Sequence, residues 1–360
     1  MSSAPVALFF GTRPQVIKAS VLRDALSAVT SLVTVDTGQH YDYALHKIHY
    51  EQLGVAAPDV YLGVGSASHA EQTAAILVAA ETWILAHKPR LAVVIGDTNS
   101  TLACALAAAK ARVPVAHVEA GLRAADALMA EEINRRCVDV IAAQLFAPSR
   151  RAEEALQREG VPGEIHRVGD VAYDVLRHAL ERGPDSSTSV PKAPYIYVTL
   201  HRAELVGDQD LLSGVFNALG NLRQRVVFAV HPRTSSALER TGVKPGKNIE
   251  LRPPVGYLEN LSLLRGAAAV ITDSGGIQRE AYWLGIPCVT VRVETEWVET
   301  IEAGANRLVD PAAPETLNDS VRAGLEAGAP GWAKDAYGDG TAAERIAAIL
   351  SEPSPVSSPA

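Results

Sequence analysis

Short β-rich apolar runs recur along the chain, each followed by a longer Ala/Leu-rich stretch, and this alternation limits the fold more than any single motif. Residues 6–10, 32–36, 91–95, 113–118 and 145–147 read as strands, and 17–29, 69–87, 98–111, 132–142 and 150–159 as helices. Near-continuous apolar strands separated by helices imply a parallel sheet covered on both faces. The pattern breaks across 181–194, where Gly183-Pro184, a Ser-rich run and two further prolines have the composition of a linker. Strands resume at 195–200, 226–230, 268–272 and 288–292. The expected organisation is an N-terminal Rossmann-like domain over 1–180, the linker, and a second Rossmann-like domain over 195–340. A last helix at 341–350 joins the first domain, and a disordered Ser/Pro-rich tail follows over 351–360. Two such α/β units predict a central cleft faced by the carboxyl ends of both sheets, where open α/β folds bind ligands.

A chain of 360 residues, 48% of them hydrophobic, can bury cores for two domains. Its formal net charge of −8 argues against general nucleic-acid binding and against an anionic membrane surface. An anionic ligand therefore needs a local basic pocket. Cys104, Cys137 and Cys288 show neither a metal-ligand spacing nor an even disulfide framework, which fits a reducing cytoplasm and no metal. No signal-peptide pattern opens the chain, and no apolar run reaches the roughly 20 residues that span a bilayer.

If ligands bind at strand ends, the residues just past each strand should be chemically unusual. The strongest case is Thr272-Asp273-Ser274-Gly275-Gly276-Ile277-Gln278-Arg279-Glu280, directly after an apolar run. A strand that ends in Ser-Gly-Gly and turns into a helix presents free backbone N–H groups, a seat for a diphosphate. Gly275 and Gly276 let the backbone approach the anion, Ser274 can cap the helix, and Glu280 one turn on can take ribose hydroxyls. An ordinary capped helix shows the same three letters, so the other strand ends decide. Gly11-Thr12-Arg13-Pro14…Lys18 follows the first strand; Arg13 and Lys18 oppose a helix dipole there, a cost that a bound anion offsets. Asp97 follows the third and Glu119 the fourth, with Glu131-Glu132 at the start of another helix. Each alone has a structural explanation, Asp97 as an N-cap and Glu131 as a dipole complement. Three carboxylates beside Arg13, Lys18 and Arg123 suggest instead a set with split pKa values, one acid and another base. His201-Arg202 and His231-Pro232 close two strands of the second domain, and Arg292 a third. Tyr257 can lie against a base or in the core.

These residues resemble the non-hydrolysing UDP-N-acetylglucosamine 2-epimerases, a two-domain family related in fold to the GT-B glycosyltransferases. The matching blocks include Gly11 to Lys18, Thr37-Gly38-Gln39-His40, Gly96-Asp97-Thr98, His117-Val118-Glu119-Ala120-Gly121-Leu122-Arg123 and Glu131-Glu132-Ile133-Asn134-Arg135. They continue through His201-Arg202, His231-Pro232, Thr272 to Glu280, Glu302-Ala303-Gly304-Ala305-Asn306 and Tyr337-Gly338-Asp339-Gly340. The resemblance implies inversion at C2 of a UDP-N-acetylhexosamine by elimination of UDP to a 2-acetamidoglucal and re-addition, without metal or nicotinamide. It assigns catalysis to Asp97, Glu119, Glu131 and His201, and substrate binding to Arg13, Lys18, Arg123, Arg135, His231, Tyr257, Ser274, Gly275, Gly276, Glu280 and Arg292. It implies a UDP-sugar substrate and a homodimer. Departures bear on the substrate: Ala130 replaces a usual proline, and Thr290 to Glu299, with Glu296-Trp297-Val298-Glu299, looks more like relatives acting on UDP-2,3-diacetamido-2,3-dideoxy-glucuronic acid. Tyr41-Asp42-Tyr43 and Glu71-Gln72-Thr73 differ from the segments by which many bacterial members bind an activating second UDP-GlcNAc. Two rivals stand beside this reading: a GT-B glycosyltransferase, which needs an acceptor site, and a non-catalytic UDP-sugar-binding regulator, which should have lost some of these carboxylates.

Overall fold

A computed structural model describes residues 4–39, 50, 55–183, 190–192, 194–328 and 335–351. The chain divides into two compact units, Met1–His178 with Asp335–Ala360, and Ala179–Lys334. The first holds seven parallel strands: β1 (Val6–Phe10), β2 (Leu32–Asp36), β3 (Val60–Tyr61), β4 (Leu91–Ile95), β5 (Val115–Val118), β6 (Gln144–Ala147) and β7 (Glu164–Arg167), in the order β3-β2-β1-β4-β5-β6-β7. The second holds six: β8 (Tyr195–Thr199), β9 (Arg225–Ala229), β10 (Ile249–Arg252), β11 (Ala269–Thr272), β12 (Cys288–Val291) and β13 (Asn306–Val309), in the order β10-β9-β8-β11-β12-β13. In each sheet the order reverses beside the first strand, between β1 and β4 and between β8 and β11. That switch point opens a crevice at the strand carboxyl ends.

The period of two explains why these strands are apolar throughout. Ile196 and Val198 pack with Leu212 and Phe216 on one face, while Tyr195 and Tyr197 pack with Leu263 and Ile286 on the other. β1 and β4 are buried along their whole length. The helix expected over residues 17–29 starts earlier, at Arg13–Ser27, because Pro in its first turn and Gln15 organise the entry. Gln15 Oε1 accepts from Gly11 N (2.9 Å) and Thr12 N (3.1 Å), and its Nε2 donates to the Ile95 carbonyl at 2.6 Å. One buried amide thus ties the exit of β1 to the exit of β4. The helix Ala342–Ser351 belongs to the first unit, where Asp174 accepts from the backbone N–H groups of Ala342 and Ala343 at 3.2 and 2.8 Å. Residues 184–189, 193 and 352–360, within the expected linker and tail, lie outside the described residues, as do His40 and Tyr41-Asp42-Tyr43. Gln72 serves the fold: its Nε2 donates to the carbonyls of Gln39 and Gly65. Among the described residues no helix is long and apolar enough to cross a membrane.

Gly121 combines a left-handed φ of 81° with a position where an added Cβ would overlap the Ala152 carbonyl. Gly160 has a φ of 65° and open space. Gly121→Ala is expected to cost about 2–5 kcal/mol, strain plus overpacking, and Gly160→Ala only the strain of about 1–2 kcal/mol. Urea melts of both variants check this; equal losses would contradict it.

Candidate active site

In the first unit the sequence-selected groups sit where parallel strands end. Thr12 caps the helix Arg13–Ser27, which places Arg13 and Lys18 on its first turns. Burial pulls the Arg13 guanidinium below its ordinary value, and an anion close to it would offset that cost of burial. Lys18 Nζ sits 2.6 Å from both carboxylate oxygens of Glu119. Glu119, just past β5, is buried at 6% exposure and holds a left-handed φ of 69°. A non-glycine residue in that conformation is strained, a feature that clusters at functional sites. A Cβ added at Gly96 would lie 3.2 Å from Glu119 Oε2, so the turn after β4 and the Glu119 carboxylate are neighbours. Asp97, next in that turn, pairs with Arg135, and its carbonyl accepts from Asn134 Nδ2 at 2.8 Å. The N-cap of the following helix is Thr98 rather than Asp97, whose carboxylate is thereby left for Arg135.

Glu131 and Glu132 divide sharply. Glu131 is exposed on the first turn of the helix Ala130–Ile141. Glu132 is fully buried, accepting from Ala124 N (2.9 Å) and pairing with Arg135 (3.1 Å) and Arg136 (2.8 Å). Arg123 departs from the expectation that it faces the catalytic carboxylates. Its Nη1 lies 2.8 Å from Asp139 and its Nη2 2.6 Å from Glu159, with Glu132 at 3.9 Å. Burial alone would lower the Arg123 pKa, but Glu159 and Asp139 raise it. The physical reason is Asp139, a fully buried carboxylate that requires cationic partners. Its other partner is His117, with Nδ1 2.7 Å from Asp139 Oδ1. Burial would raise the Asp139 pKa, but His117 and Arg123 hold it below the ordinary carboxylate range.

In the second unit, His201 lies two residues past β8 and Ser274 two residues past β11. Buried Asp273 joins them: its Oδ2 accepts from the backbone N–H groups of His201 (2.7 Å) and Arg202 (2.8 Å), and its Oδ1 lies 3.2 Å from His201 Nδ1. The His201 and His231 rings lie 5.2 Å apart. His231 caps the helix Pro232–Thr241, its Nδ1 accepting from Arg233 N at 3.2 Å. Ser274 occupies the N-cap of the helix Gly275–Leu284, yet contrary to expectation its hydroxyl makes no capping bond. The Thr272 hydroxyl accepts from Ser274 N at 3.0 Å and organises the turn instead. By helix geometry the first-turn N–H groups have no intrahelical acceptor, which leaves the anion seat expected at Ser274, Gly275 and Gly276. Gly275 is required for a second reason: a Cβ there would come within 2.6 Å of Trp297 Nε1. Arg279 stacks on the same indole, its guanidinium carbon 3.7 Å from the ring centroid.

Glu280 and Tyr257, expected to meet ribose and base, are brought together by a hydrogen bond. Burial pushes the Glu280 carboxyl up to about 7, against the opposing influence of Arg279 and Tyr257. Burial and Glu280 together raise the Tyr257 hydroxyl above its ordinary value. Arg292 pairs with Glu296 at 3.0 and 3.3 Å, both largely buried. Asp139, Asp273, Gln15 and Asn134 are the residues that sequence reasoning passed over. Asp273 stood inside the motif already singled out, and the cost of burying a carboxylate at a strand end, applied to Glu119, would have flagged it. Among the described residues no group of three or more His, Cys, Asp or Glu could hold a metal.

Two Rossmann-like parallel-sheet units are the architecture of the GT-B-like fold. The family model described as UDP-N-acetylglucosamine 2-epimerase matches residues 25–351. A UDP-N-acetylglucosamine 2-epimerase of Methanocaldococcus jannaschii is 38% identical over 362 residues, covering 96% of this chain and 98% of the relative. A UDP-2,3-diacetamido-2,3-dideoxy-D-glucuronate 2-epimerase of Pseudomonas aeruginosa is 41% identical over 355 residues, covering 96% and 99%. The crystal structure of the Methanocaldococcus jannaschii enzyme in complex with UDP-GlcNAc and UDP superposes with a TM-score of 0.88 at 39% identity, covering 96% of this chain and 99% of that one. The chain belongs to the UDP-N-acetylglucosamine 2-epimerase family, a family of isomerases.

The Glu280 carboxyl makes a testable mark on stability. Between its ordinary 4.5 and about 7 the folded chain keeps a proton that the unfolded chain releases, so stability falls as pH rises through that window. Glu280→Gln removes this slope. From acid to neutral pH the wild type is expected to lose about 1–3 kcal/mol relative to the variant. Denaturant melts across the window check this, and parallel profiles would contradict it.

Proposed function

We propose that the chain interconverts UDP-GlcNAc and UDP-ManNAc by eliminating UDP to a 2-acetamidoglucal and adding it back with the proton delivered to the opposite face of C2. The observation that carries this reading is the placement of two carboxylates, Asp97 and Glu119, past the adjoining parallel strands β4 and β5, each on a cation from a helix. A C2 proton is only weakly acidic, so a base must be held against it, and a second acid must serve the other face. Asp97, Glu119 and Glu131 fill those roles. Departure of UDP needs charge stabilisation, supplied by Arg13, His201 and the Ser274-Gly275-Gly276 turn. Glu280 takes the ribose, Tyr257 packs at the base, and Lys18, Arg135, His231 and Arg292 complete the polar surround. The proton leaves as H⁺ and the glycosidic oxygen leaves with UDP, so no redox step arises.

A second reading keeps the mechanism and changes the sugar. The Glu296-Trp297-Val298-Glu299 segment and the Pseudomonas aeruginosa relative favour UDP-2,3-diacetamido-2,3-dideoxy-glucuronic acid as substrate. We assign the reaction to the cytoplasm and to the supply of polysaccharide precursors, in keeping with three free thiols. The homodimer also belongs to this reading. Helix His69–His87 exposes Val78 (64%) and Leu85 (58%), and helix Ala130–Ile141 exposes Ile133 (46%) and Val140 (58%). Each pair is two turns apart and so shares one helix face, an apolar stripe suited to a second copy.

Incubation with UDP-GlcNAc in D₂O, without acceptor or cofactor, is expected to place deuterium at C2 and to yield UDP-ManNAc. Turnover of the uronic acid alone would move the substrate; UDP release without C2 exchange on either sugar would refute the epimerase. Asp97→Asn and Glu119→Gln are expected to lose on the order of 10²–10⁴-fold in turnover while still binding UDP. Near-normal rates in both would remove their roles. Sedimentation should give a dimer that Leu85→Asp weakens, and a monomeric wild type would contradict the interface.

A further inference from the structure

We propose that His117, held as an imidazolium by Asp139, is the positioning residue that sets both Asp97 and Glu119, an inference that rests on the epimerase reading above. His117 lies within β5, fully buried, and both of its ring nitrogens are engaged. Nε2 is 2.7 Å from the Gly96 carbonyl oxygen, and Nδ1 is 2.7 Å from Asp139 Oδ1. A carbonyl oxygen only accepts, so Nε2 must carry a proton. An ionised carboxylate only accepts, so Nδ1 must carry one as well. Two donors on one imidazole make it a cation; a neutral ring would leave one of these buried acceptors unsatisfied.

The clamp reaches both carboxylates through the backbone. Asp139 Oδ2 accepts from Gly121 N at 3.2 Å and pairs with Arg123 Nη1 at 2.8 Å. One carboxylate therefore grips the side chain of His117 and the backbone of Gly121, the two ends of a five-residue turn. Glu119 is its middle residue, and its left-handed φ of 69° needs such over-determination to persist. On the other side, the His117 bond to Gly96 fixes the peptide plane between Gly96 and Asp97, while Asn134 holds the Asp97 carbonyl at 2.8 Å. The charged groups around the clamp are Asp139 and Glu132 from the helix Ala130–Ile141, Arg123 after β5 and Glu159 at the end of the helix Arg150–Glu159. No sugar need touch His117 for the ring to matter, because a small error in carboxylate position is enough to slow proton transfer.

The test uses the full chain labelled with ¹⁵N-histidine, the His117 signal being assigned by its loss in His117→Gln. Both ring nitrogens are expected to show one-bond proton couplings across roughly pH 6–8, the range in which an ordinary histidine loses its charge. In the same preparations, His117→Gln and Asp139→Asn should lower turnover about 100-fold, the scale of a 1 Å misplacement, with UDP affinity unchanged. A wild-type ring with one bare nitrogen at neutral pH overturns the clamp, as does a folded His117→Gln with wild-type turnover. Parallel losses of UDP affinity and turnover would mark a merely structural role and also overturn it. If the variants fail to fold, the wild-type His117 ring is assigned instead through its bonded connection to its own backbone, and that spectrum decides. A wild type inactive on every UDP-sugar offered would overturn the epimerase reading, whereas a neutral ring in an active enzyme overturns the clamp alone.

Discussion

A parallel sheet buried on both faces leaves polar side chains one economical exit, the turn just past each strand, and the chemistry of this chain follows from that constraint. Apolar residues fill β1 and β4 from end to end, and β8 and β11 up to a closing threonine. Just past them come Gly11, Gly96, Leu200-His201 and the Asp273-Ser274 pair. Backbone N–H groups, helix dipoles and charged side chains therefore converge at the carboxyl edge of each sheet, beside the point where strand order reverses. In the first unit that edge carries carboxylates, and in the second it carries His201, Asp273 and the Ser274 N-cap.

What distinguishes these edges from ordinary surface charge is that nearly every charged group is held by a partner from a different element. Lys18 comes to Glu119 from the first helix, Arg135 comes to Asp97 from a later one, and Asp273 on β11's exit holds His201 on β8's. Such cross-element pairing fixes directions as well as charges, which is what preorganised electrostatic catalysis requires. The buried pairs are costly to desolvate and are weak grounds for stability. Their value is geometric: a strained Glu119 and a glycine turn against it are positions a loosely held loop would abandon.

Much of this was legible from the residues alone. Strands β1, β2 and β4 and the helices His69–His87 and Arg150–Glu159 were readable to the residue, because continuous apolar runs and helical periodicity leave little choice there. The four strands that were not read, β3, β7, β10 and β13, are the edges of their sheets. Edge strands are half-exposed and carry Glu, His and Arg, as in Glu164–Arg167 and Ile249–Arg252, so no apolar run announces them. The site divided in the same way. Candidate residues carried by a local motif, such as Ser274 to Glu280 or Gly96-Asp97, could be named. Residues whose task depends on a distant partner could not: Asp139 acquires meaning only with His117 and Arg123 beside it, and no local motif announced its pairing with Arg123. The free capping hydroxyl of Ser274 was hidden for a related reason, since the Thr272 side chain takes over the turn.

The epimerase proposal asks that the carboxylates past β4 and β5 act at C2 of a nucleotide sugar and that the Ser274 helix mouth hold a diphosphate. A crystal structure with UDP-GlcNAc bound tests it most directly. The account expects diphosphate oxygens within hydrogen-bond reach of the Ser274, Gly275 and Gly276 N–H groups, and a carboxylate oxygen of Asp97, Glu119 or Glu131 about 3–3.5 Å from C2. A sugar ring whose C2 faces none of the three, or a diphosphate seated away from that turn, would contradict it.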